Sequence, residues 1–259
     1  MDLGIAGRKA IVCASSRGLG RACAQALAAA GCEVVINGLD AARLEATAAE
    51  LGKATGAKII PVKADVGTAE GQAALFAACP EPDILVNNNA GPPPREFREL
   101  TRQQILDGVT GNMVVAIELM QKAIEPMIKK RFGRIVNITS GTVKLPQAGL
   151  DLSSAARGGL TIFMAGVARQ VADKNVTINN LLPGAFETDR LKTVLGNAAK
   201  KRNASLDDIR AERIASIPAK RFGDAAEFGA ACAFLCSAQA GFITNQNLMI
   251  DGGAFPGAF

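Results

Sequence analysis

Short apolar runs alternate with longer stretches of helical spacing from one end of the chain to the other. Lys9-Ala-Ile-Val-Cys13 reads as a strand, followed by a glycine-containing turn and an Ala-rich helix over Arg21–Ala30. Glu33–Asn37 predicts the second strand, and Leu44, Ala48 and Leu51 recur at helical spacing in Ala41–Leu51. Lys58–Lys63, Asp83–Asn87, Arg134–Ile138, Val176–Leu181 and Asn247–Ile250 carry the series to seven strands. Strands separated by helices of this length are joined by parallel crossovers. The prediction is one α/β domain over residues 1–259, a doubly wound seven-stranded parallel sheet with helices on both faces. Such sheets bind ligands beyond the carboxyl ends of their strands, where the strand order reverses.

Composition narrows the setting. A chain of 259 residues, 49% hydrophobic and 20% charged, can bury one sizeable core and is not a disordered chain. The longest apolar runs, such as Ile11–Ala14 and Ile59–Val62, are too short to span a membrane, and Met1–Lys9 lacks the order of a signal peptide. The six cysteines lie in apolar segments without paired spacing, as buried thiols of a cytoplasmic protein do. With no histidine and no cysteine cluster, no metal site is expected. Cys232 and Cys236 can share a helix face, but two thiolates make half a site.

Charge is concentrated late in the chain. The formal net charge is +5, and Asp189–Arg221 alone holds nine Lys/Arg against four Asp/Glu. No aromatic residue is interleaved with those charges before Phe222, which argues against base stacking on nucleic acid. The segment at about 186–221 reads as a basic flap: either a flexible cover over an anionic ligand or, more plainly, helix with a solvated face.

Polar motifs follow the predicted strands. After the first comes Cys13-Ala14-Ser15-Ser16-Arg17-Gly18-Leu19-Gly20, where glycines let backbone N–H groups approach a pyrophosphate at a helix N-terminus. Ala14 suits this turn only if its φ need not be positive. Asp65-Val66 follows the third strand, Asn87-Asn88-Asn89-Ala90-Gly91 the fourth, and Pro183-Gly184 with Thr188 the sixth. After the fifth comes Ser140, then Ser153 and Arg157 within Leu152–Leu160.

These motifs together resemble the short-chain dehydrogenase/reductase family, and in particular its beta-ketoacyl-[acyl carrier protein] reductase-like members. The resemblance covers essentially the whole chain. It implies a Rossmann fold in which Ala14, Ser16, Arg17, Gly18, Leu19, Gly20, Leu39, Asp65, Val66, Asn88, Asn89, Ala90, Gly91, Arg157, Pro183, Gly184 and Thr188 hold a dinucleotide. Arg17 matches the basic residue that NADP-using members place near the 2′-phosphate, and Gly38 and Leu39 stand where NAD users carry an acid. NADP(H) is therefore favoured over NAD(H). The family's catalytic Ser and Asn are matched by Ser140 and Asn112, but its Tyr is replaced by Ser153 and its Lys by Arg157. The chain has no tyrosine to substitute.

A serine hydroxyl is a poor proton donor near neutrality, and an arginine binds anions but does not cycle a proton. Lys144, on the loop after Ser140, is a candidate general acid if desolvated beside Arg157. The leading reading is NADP(H)-dependent reduction of a carbonyl, 3-oxoacyl-type or another ketone and free or carrier-linked, by a non-standard proton path. The alternative is a non-catalytic NAD(P)-binding protein or regulatory subunit. A lyase of halohydrin dehalogenase type fits less well, because such proteins keep the Tyr and lose the cofactor loop. In carrier-dependent relatives basic residues near Arg131 and Lys174 dock the carrier. The apolar Gly158–Val171 helix points to a homodimer or homotetramer.

Overall fold

The computed structural model describes residues 2–258. Seven strands, β1 (Lys9–Val12), β2 (Glu33–Gly38), β3 (Ile59–Lys63), β4 (Ile84–Asn87), β5 (Gly133–Ile138), β6 (Val176–Pro183) and β7 (Asn247–Ile250), form one sheet. Its order is β3-β2-β1-β4-β5-β6-β7 and every pairing is parallel. Side chains alternate between the two faces. Ile11, Val35, Leu85, Ile135 and Ile178 join one apolar cluster, whereas Val12, Ile36, Val86, Val136 and Leu181 join the other. Both faces are covered, which is why the strands read as continuous apolar runs.

The helices are α1 (Gly18–Ala29), α2 (Ala41–Thr55), α3 (Ala69–Ala78), α4 (Arg102–Val109), α5 (Val115–Lys130), α6 (Asp151–Val171), α7 (Asp189–Arg202), α8 (Leu206–Ala215) and α9 (Ala225–Leu235). Small residues let α1 and α9 approach closely: a Cβ on Gly229 would lie 2.4 Å from the Ala22 carbonyl oxygen. Several boundaries differ from the sequence expectation, two of them on the helices after β1 and β2. The first helix begins at Gly18 instead of Arg21, so both glycines belong to its first turn. The second runs to Thr55, where Gly56 at φ 71° closes it.

The basic segment expected as a flap is two helices, α7 and α8. Leu195, Ala199, Ile209, Ile217 and Phe222 bury a small apolar cluster of their own beneath them. Several of its charges pair locally, as in Arg202–Glu212 and Arg210–Glu187.

The strand order reverses between β1 and β4, which connect outward to β2 and to β5 respectively. The carboxyl ends of β1, β4, β5 and β6 therefore border one crevice, and the motifs after those strands meet there.

Candidate cofactor and active site

The turn after β1 is held from three sides. Ala14 N–H donates to Asn37 Oδ1 at 2.6 Å, its carbonyl accepts from Asn88 Nδ2 at 3.2 Å, and Asn37 Nδ2 donates to the Ala64 carbonyl at 2.8 Å. Asn37 thus ties together the ends of β1, β2 and β3. The turn brings the Ala14 carbonyl so near α1 that a Cβ on Gly20 would lie 2.4 Å from it. Ala14 itself sits at φ 45°. This corrects the expectation that an alanine is accommodated here without positive φ; the bonds to Asn37 and Asn88 hold it in the left-handed region.

No side chain caps α1, and its first turn holds no acid. The N–H groups of Gly18, Leu19 and Gly20 have no acceptor one turn earlier in the helix. They form an anion cradle at the positive end of the helix dipole, which fits a dinucleotide pyrophosphate. Nothing approaches within 4 Å of a Cβ built on Gly18, so the cradle opens outward. Arg17, the N-cap residue, is exposed at its rim.

Past β2, Ser16 Oγ would lie 2.8 Å from a Cβ on Gly38, and Leu39 is 67% exposed. The next residue, Asp40, is an acid, but its carboxylate caps α2 by accepting from Arg43 N–H at 3.1 Å. The Arg43 side chain lies 3.7 Å from the same carboxylate. Past β3, Asp65 is exposed and turns its carboxylate to Gly67 N–H, while Val66 is buried.

A row of asparagines crosses the sheet. Asn87 donates to Asn137 at 2.9 Å, Asn137 to Asn180 at 2.9 Å, and Asn180 to Asn247 at 2.8 Å. Each is the register partner of the next on β4, β5, β6 and β7. At the head of the row Asn87 Oδ1 is buried and unpartnered, and so is Asn112 Oδ1. Asn112 lies in a π-helical turn, Thr110–Val114, between α4 and α5, with its Nδ2 given to the Gly108 carbonyl. A cavity of about 20 Å³ is lined by Asn87, Asn112, Asn137 and Arg157, with room for a water.

The reacting side is built around Arg157, on α6. Its Nη1 donates to the carbonyls of Ile138 at 2.7 Å and Thr139 at 3.2 Å, and its Nη2 to Asn89 at 3.4 Å. Asn89 Nδ2 reaches Gly111 across the crevice. Burial, and next the charge of Arg190, lowers the Arg157 guanidinium to about 10, so it remains a cation at neutral pH. Arg157 is thus a tie between the loops after β4 and β5, with Nη2 as its edge toward the crevice.

Ser140 Oγ accepts from the Thr142 N–H at 3.2 Å and the Thr142 hydroxyl at 2.9 Å, which leaves its own proton for a ligand. Ser153 borders a cleft with Pro92, Pro93, Arg95, Leu100 and Leu152. The Lys144 ammonium lies 5.6 Å from the centre of the Phe255 ring, against the C-terminal segment. Gly184 follows β6, donating to the Ile250 carbonyl, and Thr188 caps α7 through Leu191 N–H. Ala90 is exposed, and Gly91 faces Ser153.

The family profile described as enoyl-(acyl carrier protein) reductase matches residues 13–254. The chain is 31% identical over 252 residues to the NADPH-dependent reductase BacG of Bacillus subtilis, covering 95% of this chain and 97% of that protein. It is 33% identical over 250 residues to the 3-oxoacyl-[acyl-carrier-protein] reductase FabG of Escherichia coli, covering 96% and 98%. The chain belongs to the short-chain dehydrogenase/reductase family. Among solved structures, an NADPH-dependent reductase involved in bacilysin biosynthesis superimposes with a TM-score of 0.92 at 30% identity, covering 97% of this chain and all of that one.

Within this short-chain dehydrogenase/reductase, sequence reasoning did not find Asn37, the Asn137–Asn180–Asn247 row or Arg190. The signal for the asparagines was present: an Asn amid the apolar run of a doubly covered strand must find a partner inside. Arg190 left no such trace, being one charge among many in a basic segment. Arg131 and Lys174 precede β5 and β6, at the end of the sheet opposite this crevice. Both turn to Asp173, Arg131 through its carbonyl and Lys174 through its carboxylate.

Proposed function

We propose that this short-chain dehydrogenase/reductase reduces a carbonyl compound at the expense of NADPH. The observation that carries the reading is the uncapped N-terminus of α1 opening onto the same crevice as Ser140, Ser153 and Arg157. The names of its relatives, NADPH-dependent reductase and 3-oxoacyl-[acyl-carrier-protein] reductase, support both the cofactor and the 3-oxoacyl or other ketone class.

Gly18, Leu19 and Gly20 would hold the pyrophosphate, with Arg17 and Arg43 at the 2′-phosphate. Asp65 and Val66 would border the adenine, and Asn88 through Gly91, Pro183, Gly184 and Thr188 the nicotinamide half. When bound, the dinucleotide supplies a hydride to the carbonyl carbon. Ser140 donates its free proton's hydrogen bond to the carbonyl oxygen, and the nearby positive charge of Arg157 stabilises the charge that develops there. Water supplies the proton that completes the alcohol, since Ser153 titrates too high to give one. The two unpartnered acceptors of Asn87 and Asn112 would hold such a water in the adjoining cavity.

Self-association is part of the same reading. On α6, Ile162 is 77% and Phe163 40% exposed, and Ile105 and Leu106 on α4 are also bare. We infer that these residues meet a second copy, as a dimer or tetramer.

The test is NADPH oxidation, followed at 340 nm, against a panel of ketones, 3-oxoacyl thioesters and oxo acids, alongside NADPH titration. Turnover of at least one class is expected. Binding of NADPH with every carbonyl refused would replace the reductase with a dinucleotide-binding protein.

A further inference from the structure

Two guanidinium groups and a hydroxyl converge beside the loop after β4. A methyl placed on Gly91 would stand 3.4 Å from Arg190 Nη2, 3.5 Å from Arg157 Nη2 and 3.7 Å from Ser153 Oγ. The two positive charges are close enough for Arg190 to depress the ionisation of Arg157. Such an arrangement is costly unless something negative joins it.

Among the described residues, none does so. The acids on either side of Arg190 are engaged elsewhere: Glu187 pairs with Arg210, and Asp189 faces Arg43 at 4.0 Å. Arg157 is buried and bonded only to backbone carbonyls. The cleft that continues from Ser153 is walled by Pro92, Pro93, Leu100, Leu152 and a third arginine, Arg95, and no acidic residue lines it. In the proposed reading the pyrophosphate has a separate place, at the N-terminus of α1.

We infer that the carbonyl substrate carries a carboxylate, held by Arg157 and Arg190 beside Ser153, so that this protein acts on oxo acids. The inference rests on the reductase reading and names its substrate class. A planar carboxylate accepts from the remaining N–H of Arg157 Nη2 and from the Arg190 guanidinium at once, which fixes the neighbouring carbonyl relative to Ser140. Arg190 is then the specificity residue, because Arg157 is already committed to the strand ends.

The experiment compares 2-oxo-4-phenylbutanoate with its ethyl ester, which removes the charge and keeps the ketone. With the parent protein the acid is expected to exceed the ester in kcat/KM by on the order of 100-fold. In Arg190→Gln that ratio should fall to within about threefold, through a raised KM for the acid, and Arg190→Lys should recover part of it. NADPH affinity, titrated separately by its own fluorescence, should stay the same. Equal use of acid and ester by the parent would overturn the inference while leaving the reductase in place. A loss of NADPH affinity in Arg190→Gln would also overturn it, by assigning the arginine to a cofactor phosphate. If no ketone is reduced, calorimetric binding of the acid to the NADP⁺ complex, lost in Arg190→Gln, would uphold the clamp while the reductase reading falls. Absence of that binding would overturn both.

Discussion

Replacing Ala14 with glycine should stabilise the protein. The residue sits at φ 45°, in a region where a Cβ crowds the following carbonyl oxygen at a cost of about 1–2 kcal/mol. Glycine removes that cost but loses about 0.5–1 kcal/mol more conformational entropy on folding. The net gain is about 0.5–1 kcal/mol, because the bonds to Asn37 and Asn88 are made by the backbone and survive the exchange. For a chain of this size that corresponds to a rise in Tm of roughly 1–4 °C. Circular dichroism on heating and urea titration, both at one fixed protein concentration, measure it without interference from self-association. Ala14→Val serves as the opposite control, since a β-branched side chain at positive φ is worse than alanine. A lower Tm for Ala14→Gly, or an unchanged one for Ala14→Val, would show that the turn relaxes out of the left-handed region, and the reasoning would fail.

Three further outcomes are expected. Arg17→Ala should weaken NADPH binding by about tenfold and leave NADH nearly unaffected, as charge-assisted contact with a 2′-phosphate requires; competition titrations of the two dinucleotides read this directly. The double variant Ser153→Tyr with Arg157→Lys should reduce neutral ketones faster than the parent, because a phenol near pKa 10 can give the proton that serine cannot; initial rates with NADPH check it. Raising the pH should unfold the protein between about 9 and 12. Burial pushes the Cys13 and Cys32 thiols from 9.0 up to about 12, so the unfolded chain releases those protons first and stability falls through that window. With no tyrosine in the chain, thiolate absorbance near 240 nm can be followed without phenolate, and it should appear together with loss of circular dichroism.

The sheet was legible because its physical cause is written residue by residue. Strands covered on both faces must be apolar throughout, and Ile11, Val35 and Leu85 on one face with Val12, Ile36 and Val86 on the other are such runs. The tight turn from β1 into α1 was legible too, since Gly18 and Gly20 have few other uses between a strand and a helix. The helix start at Gly18 was not, because glycine's low helix propensity is overridden by the packing of the first turn against Ala14 and Asn88. Arg190 was hidden for a different reason: its partners, Arg157 and Ser153, belong to another helix, and only the fold brings them to Gly91. The contact of Lys144 with Phe255 was hidden likewise, because the two lie far apart in sequence and only the fold joins them.

Arg157 shows how one exchange can alter chemistry and architecture together. A lysine at this place has a single ammonium, whereas the guanidinium bonds the Ile138, Thr139 and Asn89 carbonyls at once and so joins the loops after β4 and β5. Those carbonyls end their strands and need donors inside a crevice that binding of ligands would close to water. Truncating Arg157 leaves all three without their partner, and such unpaired groups cost about 1–3 kcal/mol each when they stay dry. The residue is therefore fixed by the fold before any ligand arrives, and it can hold an anion but has no freedom to shuttle a proton. The proton must come by another route, and the open acceptors of Asn87 and Asn112 lie along the cavity on its far side. In the proposed reading, charge recognition falls to Arg157 and the need for a proton from water follows from Ser153.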